Sequence, residues 1–338
     1  MGQFDYERAA REVLSQYGCI RAKSGLTSFG NGGGFSGARI WRGESALGDI
    51  CLRAWPARGI NSDRLADVHR LMKVAKAAGL SYVPALLNAD DGASYVDYAG
   101  RLWEVSSWMP GRADFRERPS DTRLEAAVIA LAHVHEVWSP SSRQVACCPA
   151  IARRIDCLRE WRSLIASGWQ PRFGSETDDP VTWWAKRAWL LLNKQVQSLA
   201  NLLSPWTRGS FICQPCLCDI WHDHVLFQDQ VVTGIIDFGG LKEDHVATDL
   251  ARLLGSLVGD DQEARRKGFD AYSRIRKLSE EEESLAQVLD VSGTILGLAN
   301  WLIWLFRDGR QFHDHRAVAE RISELVRRAE RWPVPRTV

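Results

Sequence analysis

The side chains able to do chemistry crowd into one short stretch of this 338-residue chain. Residues 217 to 239 read LCDIWHDHVLFQDQVVTGIIDFG, with Asp219, His222, Asp223 and His224 before a pair of β-rich runs and Asp237 directly after them. Val225 to Phe227 and Val231 to Ile236, joined by the polar Gln228-Asp229-Gln230, predict an antiparallel hairpin. A hairpin sets the residue before its first strand against the residue after its second. His224 and Asp237 should therefore face each other at the open end, with Asp219 on the loop feeding the same edge. Clustered carboxylates and imidazoles are unfavourable unless a cation or substrate engages them, so a divalent cation is the simplest partner. Asp237-Phe238-Gly239 is also the arrangement in which a carboxylate holds Mg²⁺ against nucleotide phosphates.

A second group of residues suits the phosphates themselves. Gly32-Gly33-Gly34-Phe35-Ser36-Gly37 fits G-x-G-x-x-G at Gly32, Gly34 and Gly37. A dinucleotide-binding fold would continue into a helix, whereas Ala38-Arg39-Ile40-Trp41-Arg42 reads as a strand. The segment is expected to be a hairpin turn whose glycines let backbone N–H groups, with Ser36 among them, approach anionic oxygens. Arg53 lies on the following strand, at the place where a kinase has the basic residue that contacts the α and β phosphates.

Positioning these groups requires two kinds of structure. Residues 18 to 110 alternate strand-like runs with turn residues and contain one helix. That helix has an Asn61-Ser62-Asp63 cap, a stripe of Leu65, Val68, Met72 and Ala75, and a stop at Gly79. A hairpin around SYVDYAGRLWEVSSW leads to Met109-Pro110-Gly111, a natural joint. Beyond it LEAAVIALAHVHEVW sets Leu124, Val128, Leu131, His135 and Trp138 on one helical face. The expected fold class is α+β with two lobes: residues 1–108 small and β-rich with one main helix, residues 109–338 larger and mostly α.

Composition excludes several classes of function. Apolar residues make up 45% and charged residues 25%, ordinary for a globular chain and unlike a disordered one. Lys plus Arg is 43 against 42 for Asp plus Glu, so no overall field favours nucleic acid or an anionic membrane. The N-terminal MGQFDYERAAREVLSQ lacks the unbroken apolar core of a signal peptide, which predicts a cytoplasmic protein. The apolar stretch Val291 to Phe306 is interrupted by Ser292, Gly293, Thr294, Gly297 and Asn300, falls short of the about 20 residues that span a bilayer, and is read as a buried helix. Eight unevenly spaced cysteines suit reduced core thiols. Cys213, Cys216 and Cys218 near His222 and His224 invite a zinc reading, but no second C-x-x-C accompanies the first.

Taken in order, these motifs resemble the aminoglycoside phosphotransferase and choline kinase-like small-molecule kinases, which have a protein-kinase-like fold. The resemblance covers roughly residues 20 to 310. The family's catalytic segment is H-G-D-x-x-x-x-N, followed eighteen residues after its Asp by the metal Asp of I-D-F-G. Asp219 and Asp237 stand at that separation here, and GGGFSG, WMPG and ATDLARLL resemble the phosphate loop, interlobe linker and D-L-A-R segment. The resemblance implies an ATP-dependent phosphotransferase that needs Mg²⁺ or Mn²⁺ and acts on an aminoglycoside-, choline- or homoserine-like hydroxyl. Asp219 would be the catalytic base, Asp237 and His224 the metal ligands, and backbone at Ser107 and Met109 would meet adenine. Gly32, Gly33, Gly34, Ser36, Gly37 and Arg53 would face phosphate. Oligomeric state leaves no readable trace.

Three positions depart from that pattern. Leu217-Cys218 replaces His-Gly, His224 replaces the metal-binding Asn, and Arg53 replaces the usual Lys. His224 would either shift preference towards Mn²⁺ or Zn²⁺ or leave only one well-held ion. Asp67, as the best-placed acid on the 62–78 helix, would pair with Arg53 in place of a Lys–Glu pair. Asp249 is expected as a structural cap or hydrogen-bond acceptor, and Asp223, Glu243 and Asp244 as candidate acidic walls for a cationic substrate. The alternative is a nucleotide-binding pseudokinase or scaffold, against which retention of both Asp219 and Asp237 argues.

Overall fold

The computed structural model describes residues 4–18, 20, 25–30, 37–46, 48–57, 59–139, 144–174, 179–312 and 314–332. The chain divides into two compact units, Met1–Trp138 with Asp219–Leu241, and Ser139–Cys218 with Lys242–Val338.

The first unit runs α1 (Tyr6–Leu14), β1 (Thr27–Ser28), β2 (Arg39–Ser45), β3 (Gly48–Ala54), α2 (Ser62–Ala77), β4 (Leu86–Leu87), β5 (Val96–Tyr98), β6 (Arg101–Ser107) and α3 (Asp121–Val137). Its strands form an antiparallel sheet in the order β1-β2-β3-β6-β4, with β5 also on β6. Alternation along β2 and β3 buries Trp41, Ile50, Leu52 and Ala54 against Trp103 and Val105 of β6 and Ala9, Ala10 and Val13 of α1. Trp41 and Trp103 stack at 5.6 Å. α2 begins where Asn61 accepts the Arg64 N–H at 2.9 Å and ends before Gly79, whose φ of +87° suits glycine. Its buried residues include Leu65, Val68, Met72 and Ala75, as the stripe predicts.

The second unit contributes β7 (Gln144–Ala146), α4 (Pro149–Ala166), α5 (Pro180–Leu203) and β8 (Phe211–Cys216) before the chain returns to the first for the hairpin of β9 (Val225–Gln228) and β10 (Val231–Ile235). It then completes the second unit with β11 (Lys242–Asp244), α6 (Ala247–Leu257), α7 (Gln262–Ser273), α8 (Glu280–Leu302) and α9 (His315–Arg331). The class is α+β, as expected from the sequence.

The joint predicted at 109 lies inside the first unit, because β9 and β10 hold it there. Arg112 and Phe227 exchange backbone hydrogen bonds of 3.0 and 2.9 Å, and the Thr233 hydroxyl donates to the Pro110 carbonyl at 2.6 Å. The length of the late apolar helix also needs correction. Glu280–Arg307 is long and apolar enough to cross a membrane by length and composition, since Leu285, Ala286, Val288 and Leu289 extend the run towards the N-terminus. Of its most apolar window, 61% is buried within the protein.

Candidate active site

The hairpin does what its sequence pattern predicts. The Ile236 N–H donates to the His224 carbonyl at 3.0 Å, and beyond that bond His224 Nε2 lies 3.7 Å from Asp237 Oδ2. Ile235 N–H donates to the Tyr82 carbonyl at 2.8 Å, tying the strand end to the loop after α2. Asp237 itself has φ +63°, a left-handed conformation uncommon outside glycine. This turns the chain sharply at the head of Phe238-Gly239-Gly240, and the Phe238 ring meets Trp138 edge-on at 6.2 Å.

Arg53 joins this group across the fold. Its Nη1 donates to Asp237 Oδ1 at 2.9 Å. Burial pushes the Asp237 carboxyl upward, but the Arg53 charge, the His224 ring and the bond to Arg53 outweigh burial and hold it below the usual carboxylate range. Burial lowers the Arg53 pKa too, and Asp237 and Glu104 together more than reverse that.

Asp67 is not Arg53's partner. Its side chain is 71% exposed and sits 3.4 Å from Arg70 one turn on. The helix phase that buries Leu65, Val68 and Met72 turns residue 67 to solvent and carries His69 inward. The acid beside Arg53 is Glu104, its direct cross-strand partner in the β3/β6 register, with Oε1 3.7 Å from Arg53 Nε. Glu104 Oε2 in turn receives Trp55 Nε1 at 3.0 Å and His69 Nε2 at 2.8 Å. His69 Nδ1 lies 2.8 Å from the Ser94 hydroxyl, and the Arg53 guanidinium stacks 4.9 Å above Trp55. Burial pushes the Glu104 carboxyl upward, and the His69 bond, the Arg53 charge and the Trp55 bond hold it below its ordinary value. Sequence reasoning missed Glu104 and His69. A buried acid inside the apolar run Leu102-Trp103-Glu104-Val105 was the available signal.

The loop into Asp219 is built by Asp249, in the first turn of α6. Its two carboxylate oxygens accept the backbone N–H groups of Leu217 and Cys218 at 2.7 and 2.6 Å. The acceptor role read from the sequence is therefore correct. Cys218 has φ +62°, so a thiol-bearing residue occupies a left-handed position where the resembling family has Gly. Leu217 is buried at 2% exposure, which accounts for an apolar residue in place of His. Asp219 follows on the exposed side of the loop.

Within that loop, Trp221 Nε1 donates to His224 Nε2 at 2.8 Å. An imidazole nitrogen has one lone pair, and in this geometry that of Nε2 is directed at the indole N–H. Asp237, ionised and 38% exposed, remains an oxygen donor suited to Mg²⁺. His222 is buried and lies 3.3 Å from the exposed Asp223. Asp244 is fully buried and held by Arg153 and by the backbone N–H groups of Ala150 and His245 at 3.1 and 2.9 Å, so it anchors the second unit and is no substrate wall.

The nucleotide-facing candidates fall in two groups. Gly32, Gly33, Gly34 and Ser36 lie outside the described residues, while Gly37 has φ +78°. Ser107 ends β6 opposite Ile50, with its N–H donated to the Ala85 carbonyl at 2.8 Å and its hydroxyl accepting the Ala85 N–H at 2.9 Å. Met109 is buried where β10 passes, so close that a Cβ on Gly234 would come 2.8 Å from Met109 Cβ. Among the described cysteines none is in a disulfide, and burial pushes the Cys213 thiol up to about 11, consistent with reduced core thiols.

Comparison with known proteins places this geometry. The chain is 29% identical over 157 residues to a homoserine kinase of Bradyrhizobium diazoefficiens, a match covering 44% of this chain and 46% of that protein's length. It is 25% identical over 271 residues to a homoserine kinase of Xanthobacter autotrophicus, covering 77% and 76%. Its fold superposes on the crystal structure of a spectinomycin phosphotransferase in complex with ADP and spectinomycin with a TM-score of 0.68, at 12% identity, over 98% of this chain and 99% of that one. Residues 30–286 match the pattern of one family across both units, and the chain belongs to that phosphotransferase enzyme family.

Proposed function

We propose that the protein transfers the γ-phosphoryl group of ATP to a hydroxyl of a small molecule. The observation that carries this reading is the Arg53–Asp237 pair at 2.9 Å. A fixed guanidinium suits phosphate oxygens and an ionised carboxylate suits their metal ion, so the two groups supply one end of a phosphate site. Asp219, exposed on its loop, accepts the proton of the acceptor hydroxyl as that oxygen takes the phosphoryl group and ADP leaves. A divalent cation held by Asp237 would supply charge neutralisation at the phosphates. The Met109 backbone is assigned to the base, because the Ser107 N–H is engaged by Ala85.

The acceptor is proposed to be a small amino alcohol. Both curated relatives are named homoserine kinases, which makes homoserine the first acceptor to try, ahead of choline and aminoglycosides. The test is thermal unfolding with ATP and Mg²⁺, followed by ADP release with these acceptors. A ligand at about 100 times its dissociation constant raises stability by about 2.7 kcal/mol. A metal-dependent shift with acceptor-dependent ADP release supports the kinase. A shift without turnover favours a nucleotide-binding scaffold, and no shift removes the nucleotide.

A further inference from the structure

Arg53 has five N–H donors in a rigid fork, and its side chain is only 13% exposed. Such a group is useful to a phosphate only if one edge is anchored and the other is aimed. The two edges are differently occupied here. The Nη1 edge meets Asp237, and the Nε edge faces Glu104. Glu104 is itself held by Trp55 and His69, and His69 by Ser94. An ionised carboxylate only accepts, so His69 Nε2 carries the proton, and in the neutral ring Nδ1 accepts from the Ser94 hydroxyl. A continuous path thus runs Ser94, His69, Glu104, Arg53, Asp237, with the acid supplied by strand β6 and the imidazole by helix α2.

We propose that Glu104 and His69 are positioning residues for nucleotide phosphate. Glu104 anchors the Nε edge of Arg53 so that the Nη edge points at Asp237 and the phosphates, and His69 fixes the Glu104 rotamer. Neither touches substrate. The proposal rests on the nucleotide reading above and adds that α2 acts on the site through His69 and not through an acid of its own. A purely structural role for the same residues would lower stability without touching affinity in the folded protein, which separates the two cases.

The experiment measures dissociation constants for a non-hydrolysable ATP analogue with Mg²⁺, together with nucleotide-free melting temperatures, for the full chain and the variants Arg53→Met, Glu104→Gln, His69→Phe and His69→Gln. Glu104→Gln and His69→Phe are expected to weaken binding about tenfold and to raise the KM for ATP more than they lower kcat. His69→Gln, whose amide N–H can still reach Glu104, should recover most of the affinity. Adding His69→Phe to Arg53→Met should cause no further loss, because His69 acts on the phosphates only through Arg53. Unchanged affinity in folded Glu104→Gln and His69→Phe proteins overturns the proposal, as do losses that add in the Arg53→Met background. Wild-type affinity in Arg53→Met removes the proposal but leaves nucleotide binding intact. Absence of binding by the wild type removes both.

Discussion

The Arg53 guanidinium donates to Asp237 across 184 residues of sequence, at 2.9 Å. That bond joins the third strand of one sheet to the end of a separate hairpin, and it places the site's principal cation against its principal anion. On the proposed reading, metal and phosphate would compete for this pair of groups. A cation without nucleotide would share the Asp237 carboxylate with Arg53, whereas a nucleotide would offer Arg53 other anionic oxygens. Free Mn²⁺ should therefore bind weakly and bind more tightly once a nucleotide is present. Calorimetric titration of Mn²⁺ with and without ADP checks this, and equal affinities in the two titrations would refute it.

Asp219→Asn keeps the shape of the side chain but removes its capacity to accept a proton. Turnover is expected to fall by about 10²- to 10⁴-fold, while the nucleotide-dependent melting shift persists. Steady-state ADP release and thermal unfolding on one preparation provide both readings.

Cys218 should be more tolerant of glycine than of any branched residue. Its φ of +62° is strained for a side chain, and Asp249 holds it there through two short backbone bonds. Cys218→Gly removes strain of about 1–3 kcal/mol and adds about 0.5–1 kcal/mol of unfolded-chain entropy, so it should be neutral or stabilising. Cys218→Val should destabilise by more than about 1 kcal/mol, because a β-branched residue fits that region worst. Asp249→Ala leaves two N–H groups without their acceptor and should lose about 2–3 kcal/mol. Urea unfolding midpoints rank the three variants.

Acid should loosen the first unit through Glu104. Its carboxyl lies below its ordinary value in the folded protein, so its contribution is fully present above about pH 4.3 and is lost as pH falls through the depressed folded value. Asp237 follows the same sign and contributes less, since it is more than a third exposed. Melting temperatures recorded from pH 7 to pH 3 should fall at the acid end, and Glu104→Gln should flatten that fall.

If Asp237 holds a metal ion as proposed, metal choice should depend on Trp221. Because the indole N–H engages His224 Nε2, the wild type should prefer Mg²⁺ in the ordinary way. Trp221→Phe returns that nitrogen lone pair to the site and should shift preference towards Mn²⁺ or Zn²⁺. Nucleotide-dependent melting shifts with each ion compare the two proteins, and an unchanged order of preference in the variant would count against this role.

Features whose physics is local are written in the residues alone. A period of two, broken by Gln228-Asp229-Gln230, is enough to form the hairpin and so to bring His224 to Asp237. Asn61 and Gly79 mark the ends of α2 through their own backbone preferences. A separation of eighteen positions between two aspartates identifies a loop, a hairpin and a turn, which is why the family is legible in the order and spacing of its motifs. Features that depend on register and phase arise only from long-range packing. Glu104 becomes the neighbour of Arg53 only when β6 pairs with β3, since nothing in the sequence sets which residues stand opposite in strands some fifty positions apart. Asp67 and His69 are two residues apart on one helix, and only the direction in which α2 packs sends one to solvent and the other to Glu104. Trp221 likewise becomes the partner of His224 through a short helical turn whose side-chain directions no residue pattern specifies. Local sequence thus supplies the candidate groups, and tertiary packing determines which partners their atoms meet.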